Sequence, residues 1–190
     1  MIGIIDYDSG NIRSVQNALD RVGAAYILTD QRSQLDQCDK IIFPGVGSAA
    51  SSMQALHDKN LVSWIQSCTM PFLGICLGMQ LLFEYSAEGN TQCLNVLSGE
   101  TQKFKATKKV PHMGWNQITS DNLEKLDRAY CYFVHSYFVP ITEYTIATSQ
   151  YQDETFSSIV KKDNFLGMQF HPEKSGFVGQ QLLMKFVTNE

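Results

Sequence analysis

PFLGICLGMQ, residues 71–80, joins two kinds of pattern at one residue. The run before Cys76 is short, apolar and bounded by Pro71, as a buried strand is, and the run after it is helix-like. Gly74 and Gly78 flank the thiol at two residues on either side and clear space for a tight turn. A strand that passes into a helix through Gly-x-Cys-x-Gly has the layout of a nucleophile elbow, which lifts the reactive side chain above the end of a parallel sheet. The start of the helix presents backbone N–H groups, a setting that favours a thiolate.

Outward from this turn, the same alternation recurs. Residues 2–5, 25–28, 40–43 and 71–75 read as strands, and residues 12–22, 49–59, 61–68 and 77–85 as helices. Strands separated by helices imply right-handed crossovers and a doubly wound, mostly parallel α/β sheet. The second half changes character. Residues 103–104, 115–118, 130–135, 145–151, 156–161 and 165–170 read as strands with short polar connectors, which predicts antiparallel additions, and residues 176–187 close the chain as a helix. With 190 residues and no linker, repeat or low-complexity tract, 1–190 is expected to be a single domain.

Composition narrows the function. Hydrophobic residues make up 44% and charged residues 18%, an ordinary globular balance, and the net charge of −4 lacks the basic footprint of a nucleic-acid binder. The basic run Lys103, Lys105, Lys108, Lys109 reads as a solvated face. No basic leader precedes the first apolar run, which Asp6 ends, and no stretch is long enough to span a membrane. The five cysteines are odd in number and show no Cys-x-x-Cys spacing, so neither a zinc site nor a disulfide framework is expected, and a reducing cytoplasm fits.

A nucleophilic cysteine needs a base and the base an orienting group. His171 ends an apolar strand, and Glu173 lies two residues on, where an extended chain would put both side chains on one side. Pro172 biases His171 towards that extended form. His135, in YFVHSYF, is the rival base, and His57 lies on a polar helix end. An oxyanion could be met by the N–H of Leu77 and by a second donor from the loop Gly45-Val46-Gly47, which follows another strand and lacks the Lys-Ser/Thr ending of a phosphate loop.

PGVG, PFLGICLGMQ, VPHMGWN, YFVHSY and GMQFHPEKS occur in this order and, with the opening DYDSGNIRSV, cover nearly the whole chain. Together they resemble the class I, triad-type glutamine amidotransferases, and PHMGWN, FVHSY and Lys174-Ser175 are similar to the branch that serves histidine synthesis. The resemblance implies a flavodoxin-like fold, no cofactor and no metal. It implies that Cys76 attacks the glutamine amide, that His171 moves the proton and that Glu173 holds His171. It further implies that Val46, Gly47 and Leu77 form the oxyanion hole, and that Gly45, Gln80, Ser136 and Tyr137 bind the substrate. The product is ammonia, so it implies a separate (β/α)8 cyclase subunit in a heterodimer, fed through a closed passage, with Asn11, Trp115, Tyr137 and Lys174 at the interface. Residues 93–99 depart from the glycine-rich form of that loop in the family. From the residues alone, the same chemistry serving another synthase and a stand-alone cysteine hydrolase on this sheet stay open.

Overall fold

A computed structural model describes residues 1–7, 12–105, 109–120 and 128–188. The first half runs β1 (Ile2–Ile5), α1 (Ile12–Arg21), β2 (Tyr26–Thr29), α2 (Arg32–Leu35), β3 (Lys40–Phe43), α3 (Ala49–Asp58), α4 (Val62–Gln66), β4 (Phe72–Ile75) and α5 (Leu77–Gln80). The second half is strand-rich: β5 (Tyr85–Ser86), β6 (Thr91–Gln92), β7 (Glu100–Lys103), β8 (His112–Gln117), β9 (Tyr130–His135), β10 (Tyr137–Phe138), β11 (Thr145–Tyr151), β12 (Glu154–Lys162), β13 (Phe165–Met168), then α6 (Gly176–Thr188).

The main sheet has the order β11-β12-β13-β4-β3-β1-β2. From β13 to β2 all pairings are parallel, whereas β12 runs antiparallel to β13 and β11 antiparallel to β12. This is the doubly wound α/β arrangement with antiparallel additions that the sequence predicts. Both faces are covered, which is why β1 and residues 41–43 of β3 are continuous apolar runs. Ile41 and Phe43 enter the core beneath α3 and α4 with Leu56 and Ile65. Ile42, between them, enters the opposite core with Val15 and Leu19 of α1 and Leu182 and Leu183 of α6. The buried Lys40, at the start of β3, donates from Nζ to the carbonyls of Phe186 and Val187, each at 2.6 Å, and so fastens the end of α6 to the sheet.

Two smaller sheets lie beside this one: β10-β7-β5-β6 and the two-stranded ribbon β8-β9, in which His112 is opposite His135. The sequence expectation misses α2, β5, β6 and β10, and runs the helix after Cys76 too far. The carbonyls of Leu81, Leu82 and Phe83 accept from the N–H groups of Leu94, Asn95, Val96 and Leu97, so the helical ladder stops at Gln80. Residues 93–99 thus wrap this short helix, with Asn95 at φ +50° serving where a glycine is usual. Asp8–Asn11 and Lys108 lie outside the described residues, Asn11 included.

Candidate active site

Three adjacent strands, β13, β4 and β3, run in parallel register and end together, with Met168 beside Ile75 and Phe43 beside Gly74. Their carboxyl-terminal loops therefore converge, and these loops carry His171, Cys76 and Gly45-Val46-Gly47. Ligand sites of open parallel sheets lie at such carboxyl edges.

Cys76 occupies a backbone conformation that non-glycine residues seldom adopt, φ +53°, ψ −110°. Its N–H donates to Met168 O at 2.7 Å, which ties the turn to β13. The flanking glycines exist for backbone approach. A Cβ on Gly78 would stand 2.1 Å from Phe43 O, and one on Gly45 would stand 2.1 Å from the nitrogen of Gly78. The loop after β3 and the start of α5 are therefore in direct backbone contact. Since α5 is a single turn, what faces the sulfur is a few local N–H groups rather than the dipole of a long helix. Burial pushes the thiols of Cys93 and Cys131 up to about 12 and raises those of Cys38 and Cys68, which keeps these four as inert thiols.

His171 is 1% exposed, and its Nδ1–H donates to Glu173 Oε1 at 2.8 Å. The two meet as the sequence predicts, but by a different backbone. Residues Pro172–Lys174 form a single 3₁₀ turn, with His171 as its extended cap, so the carboxylate folds back under the ring instead of lying along a strand. Ser175 Oγ donates to His171 O, and His171 N–H donates to Tyr132 O on β9. Nε2 makes no hydrogen bond of ordinary geometry, yet the Cys76 sulfur is near enough to act on the ring. Burial alone would make this imidazole less basic. The charge and hydrogen bonding of Cys76 first, and of Glu173 second, outweigh burial and push His171 up to about 10.

The rival histidine has the opposite setting. His135 Nδ1–H donates to Tyr137 O at 2.7 Å and its Nε2 is 3.1 Å from His112 Nδ1, so both ring nitrogens are engaged. Desolvation dominates and holds it neutral, down to about 3; His112 is likewise lowered to about 4 by burial.

Cys76, His171 and the Gly45–Gly47 loop open onto a cavity of 320 Å³. Leu77, Gln80, Ser136 and Tyr137, all singled out in the sequence, line it as well, as does His135. Glu88, Pro111 and Val134 also line it, and sequence reasoning misses them. Glu88 sits in a Glu-Gly-Asn turn with no periodicity to flag it, and one of its oxygens accepts from the N–H of Ala49 at the start of α3. Val46 is not among the described residues with positive φ, whereas Gly47 has φ +106°. Trp115 and Lys174 are exposed; Trp115 lies against Tyr132 and beside Gly176, and Tyr137 is half-buried.

The family model for class-I glutamine amidotransferases matches residues 3–189. The chain is 45% identical to an imidazole glycerol phosphate synthase subunit HisH of Idiomarina loihiensis, covering 97% of this chain and 95% of that protein. It is 44% identical to the subunit of the same name in Bacteroides fragilis, covering 98% of each. In fold it is similar to a crystal structure of a glutamine amidotransferase, with TM-score 0.77 at 16% identity over 100% of this chain and 99% of that one. A chain in the structure of PurLQS from Thermotoga maritima superposes with TM-score 0.71 at 18% identity, covering 99% of this chain and 97% of that one.

Proposed function

The chain belongs to the class-I glutamine amidotransferase family, and on that premise we propose that it is the glutaminase subunit of an imidazole glycerol phosphate synthase, with Cys76, His171 and Glu173 as its triad. It hydrolyses L-glutamine to glutamate and ammonia for histidine biosynthesis. The observation that carries the residue assignment is the buried line from Glu173 through His171 towards the sulfur of Cys76 at the mouth of the sheet.

His171 is biased towards the imidazolium form, first by Cys76 and then by Glu173, which accepts from Nδ1–H behind it, so Nε2 is the acceptor for the thiol proton. The sulfur attacks the side-chain carbonyl carbon of glutamine. The oxygen takes the negative charge and is met by Leu77 N–H and by a peptide N–H of the Val46–Gly47 loop. His171 gives its Nε2 proton to the departing nitrogen, and ammonia leaves. A γ-glutamyl thioester remains on Cys76. Neutral His171 then takes a proton from water, hydroxide attacks the thioester, and glutamate departs as the thiolate re-forms. Gly45, Gln80, Ser136 and Tyr137 hold the amino-acid end of the substrate, and Glu88 offers a carboxylate for its ammonium.

Ammonia freed into neutral water is mostly protonated and no longer nucleophilic, so the product needs an enclosed acceptor. We assign that role to a (β/α)8 cyclase subunit in a heterodimer, which receives ammonia through a closed passage and forms imidazole glycerol phosphate and an aminoimidazole carboxamide ribonucleotide. The surface beside the site suits docking: Trp115, Met113 and Phe177 are 56%, 58% and 74% exposed. Trp115, Tyr137 and Lys174 would contact the partner, together with Asn11. Among the described residues no helix is long and apolar enough to cross a membrane, and a cytoplasmic site of action fits the pathway.

The test is Cys76→Ala. Glutamine-dependent synthesis should fall by a factor on the order of 10³ or more, because the covalent route is lost. Synthesis from ammonium salt with the cyclase present should persist. Substantial residual glutaminase activity would refute the triad.

A further inference from the structure

While the Cys76 sulfur itself also faces Val134 O at 3.8 Å, the amide side chains that reach it are ordered by a single atom, the carbonyl oxygen of Tyr137. A carbonyl only accepts. It lies 2.8 Å from Gln80 Nε2, so this end of the Gln80 amide is the NH₂ group. The same NH₂ lies 2.9 Å from one end of the Gln169 amide, which must therefore be Oε1. The opposite end of Gln169 is then its NH₂, and it points at Cys76 Sγ, 3.7 Å away. Gln169 is 0% exposed, and Gln80 and Cys76 are 4% and 6% exposed, so no water competes freely for these groups. Neither amide can flip without setting two NH₂ groups or two oxygens against each other in a buried site.

The same carbonyl orders the other side. It accepts from His135 Nδ1–H, which leaves His135 Nε2 to accept from His112 Nδ1–H, and His112 Nε2 to face the Asn116 amide at 3.3 Å. Gln169 is thus one end of a directed chain that cannot reverse.

We propose that Gln169 is a catalytic residue: it donates a side-chain N–H to the Cys76 sulfur and stabilises that sulfur whenever it carries negative charge. The proposal rests on Cys76 being the nucleophile of the reaction above. The chain just past β13 explains the placement: Gln169 follows its last residue, Met168, and His171 stands two residues further on, so one short segment brings a fixed neutral donor and a mobile proton to the sulfur. Charge leaves the sulfur as the thioester forms and returns to it as hydroxide expels it. The donor therefore assists the second half of the cycle, where thiolate is the leaving group. No atom moves from Gln169, so the residue needs no proton balance of its own.

The experiment is the rate of Cys76 alkylation by iodoacetamide as a function of pH, in the unaltered chain, Gln169→Met and Gln169→Glu. Methionine keeps the unbranched length without the donor. Glutamate keeps the shape and sets an acceptor against the sulfur. Loss of one hydrogen bond to a charged group should lower the alkylation rate at neutral pH about tenfold in Gln169→Met and displace its profile to alkaline pH. Intact mass after mixing with glutamine should show more of the γ-glutamyl adduct on Cys76 than in the unaltered chain. Thermal unfolding of both variants checks that the fold is retained, and if the methionine variant is unfolded the glutamate variant decides. Alkylation profiles that superpose on the unaltered one in a folded variant would overturn the role of Gln169 while leaving the triad standing. A Cys76 that is not preferentially alkylated in the unaltered chain would instead remove the nucleophile itself.

Discussion

His171 and His135 border the same cavity yet are driven to opposite charge states, and the cause is the number of anionic neighbours, since both are buried. His171 lies between a sulfur and a carboxylate and is pushed up to about 10, while His135 is desolvated with no anionic partner, faces a carbonyl, His112 and His171, and stays neutral down to about 3. At neutral pH His171 alone has a proton to give. Replacement of His171 by alanine should therefore cost nearly as much glutaminase activity as loss of Cys76, because members of one catalytic unit are not additive. Glu173→Gln should cost less, since the ring keeps a hydrogen-bond partner and loses only the charge that supports it. His135→Gln should leave the pH–rate profile in place and act on substrate binding or folding. Steady-state profiles of the three variants check this, and a basic limb that moves with His135 would reverse the assignment. Most of this site is legible in the sequence, because Gly-x-Cys-x-Gly and His-Pro-Glu are compact motifs. Gln169 is not, although it stands two residues before His171, since a glutamine at a strand end announces no chemistry until the sulfur it faces is known.

At the scale of elements, β1, β3, β9 and β11 have the limits the sequence suggests; Asp6 ends β1, and Asp39 and Pro44 bracket β3. The helix after Cys76 does not. Leu81, Leu82 and Phe83 are all fully buried, and an unbroken apolar run does not distinguish a helix from a buried turn. What ends α5 is capture of the carbonyls just past it, those of Leu81, Leu82 and Phe83, by residues 94–97, a contact between separate parts of the chain that no local pattern encodes. The loop after β3 behaves differently again. Gly45 is pinned against the backbone of Gly78, and Gly47 already holds φ +106°, so Val46 is the hinge between a fixed and a permissive glycine. Turning the Gly45–Val46 peptide inward to supply the second oxyanion donor pushes a β-branched residue towards positive φ, at a cost on the order of 1–3 kcal/mol. Docking of the cyclase, with its nucleotide bound, would offset that strain. We expect Val46→Gly to raise the glutaminase rate of the isolated chain and to narrow the gap to the rate in the complex, within the roughly 10²–10³ that one oxyanion donor is worth. Equal basal rates in Val46→Gly and the unaltered chain would mean that strain at this peptide is not the lock.

For the molecule as a whole, the histidine pair at the end of the β8-β9 ribbon sets an acid limit to folding. His112 stacks on Tyr151 and Phe133, with ring centroids at 4.0 and 5.1 Å, and His135 packs on Phe104 and Phe156. Both have folded values near 4 and 3, below the ordinary 6.5 of the unfolded chain. Their contribution is present in full above about 6.5 and is lost as the pH falls towards 4, because the unfolded chain takes up protons that the folded one refuses. Urea unfolding should show a loss on the order of 1–2 kcal/mol per histidine between pH 7 and pH 5. His112→Gln should flatten that dependence, and an equally steep one would place the acid sensitivity elsewhere. His171 has the opposite sign: its share holds below 6.5 and fades as the pH rises through about 10. A last consequence comes from Lys40, which is 6% exposed and whose ammonium is bound by the carbonyls of Phe186 and Val187. Those two oxygens make the carboxyl terminus a counterpart to a buried cation. Trimming the chain after Lys185 should therefore lower the melting temperature by far more than the lost apolar contacts would suggest, since it strands a charge with no acceptor. The same trim in a Lys40→Met background should be much milder, and differential scanning calorimetry of the four chains would read that non-additivity directly. For anyone handling the protein, an affinity handle should leave the last turn of α6 in place.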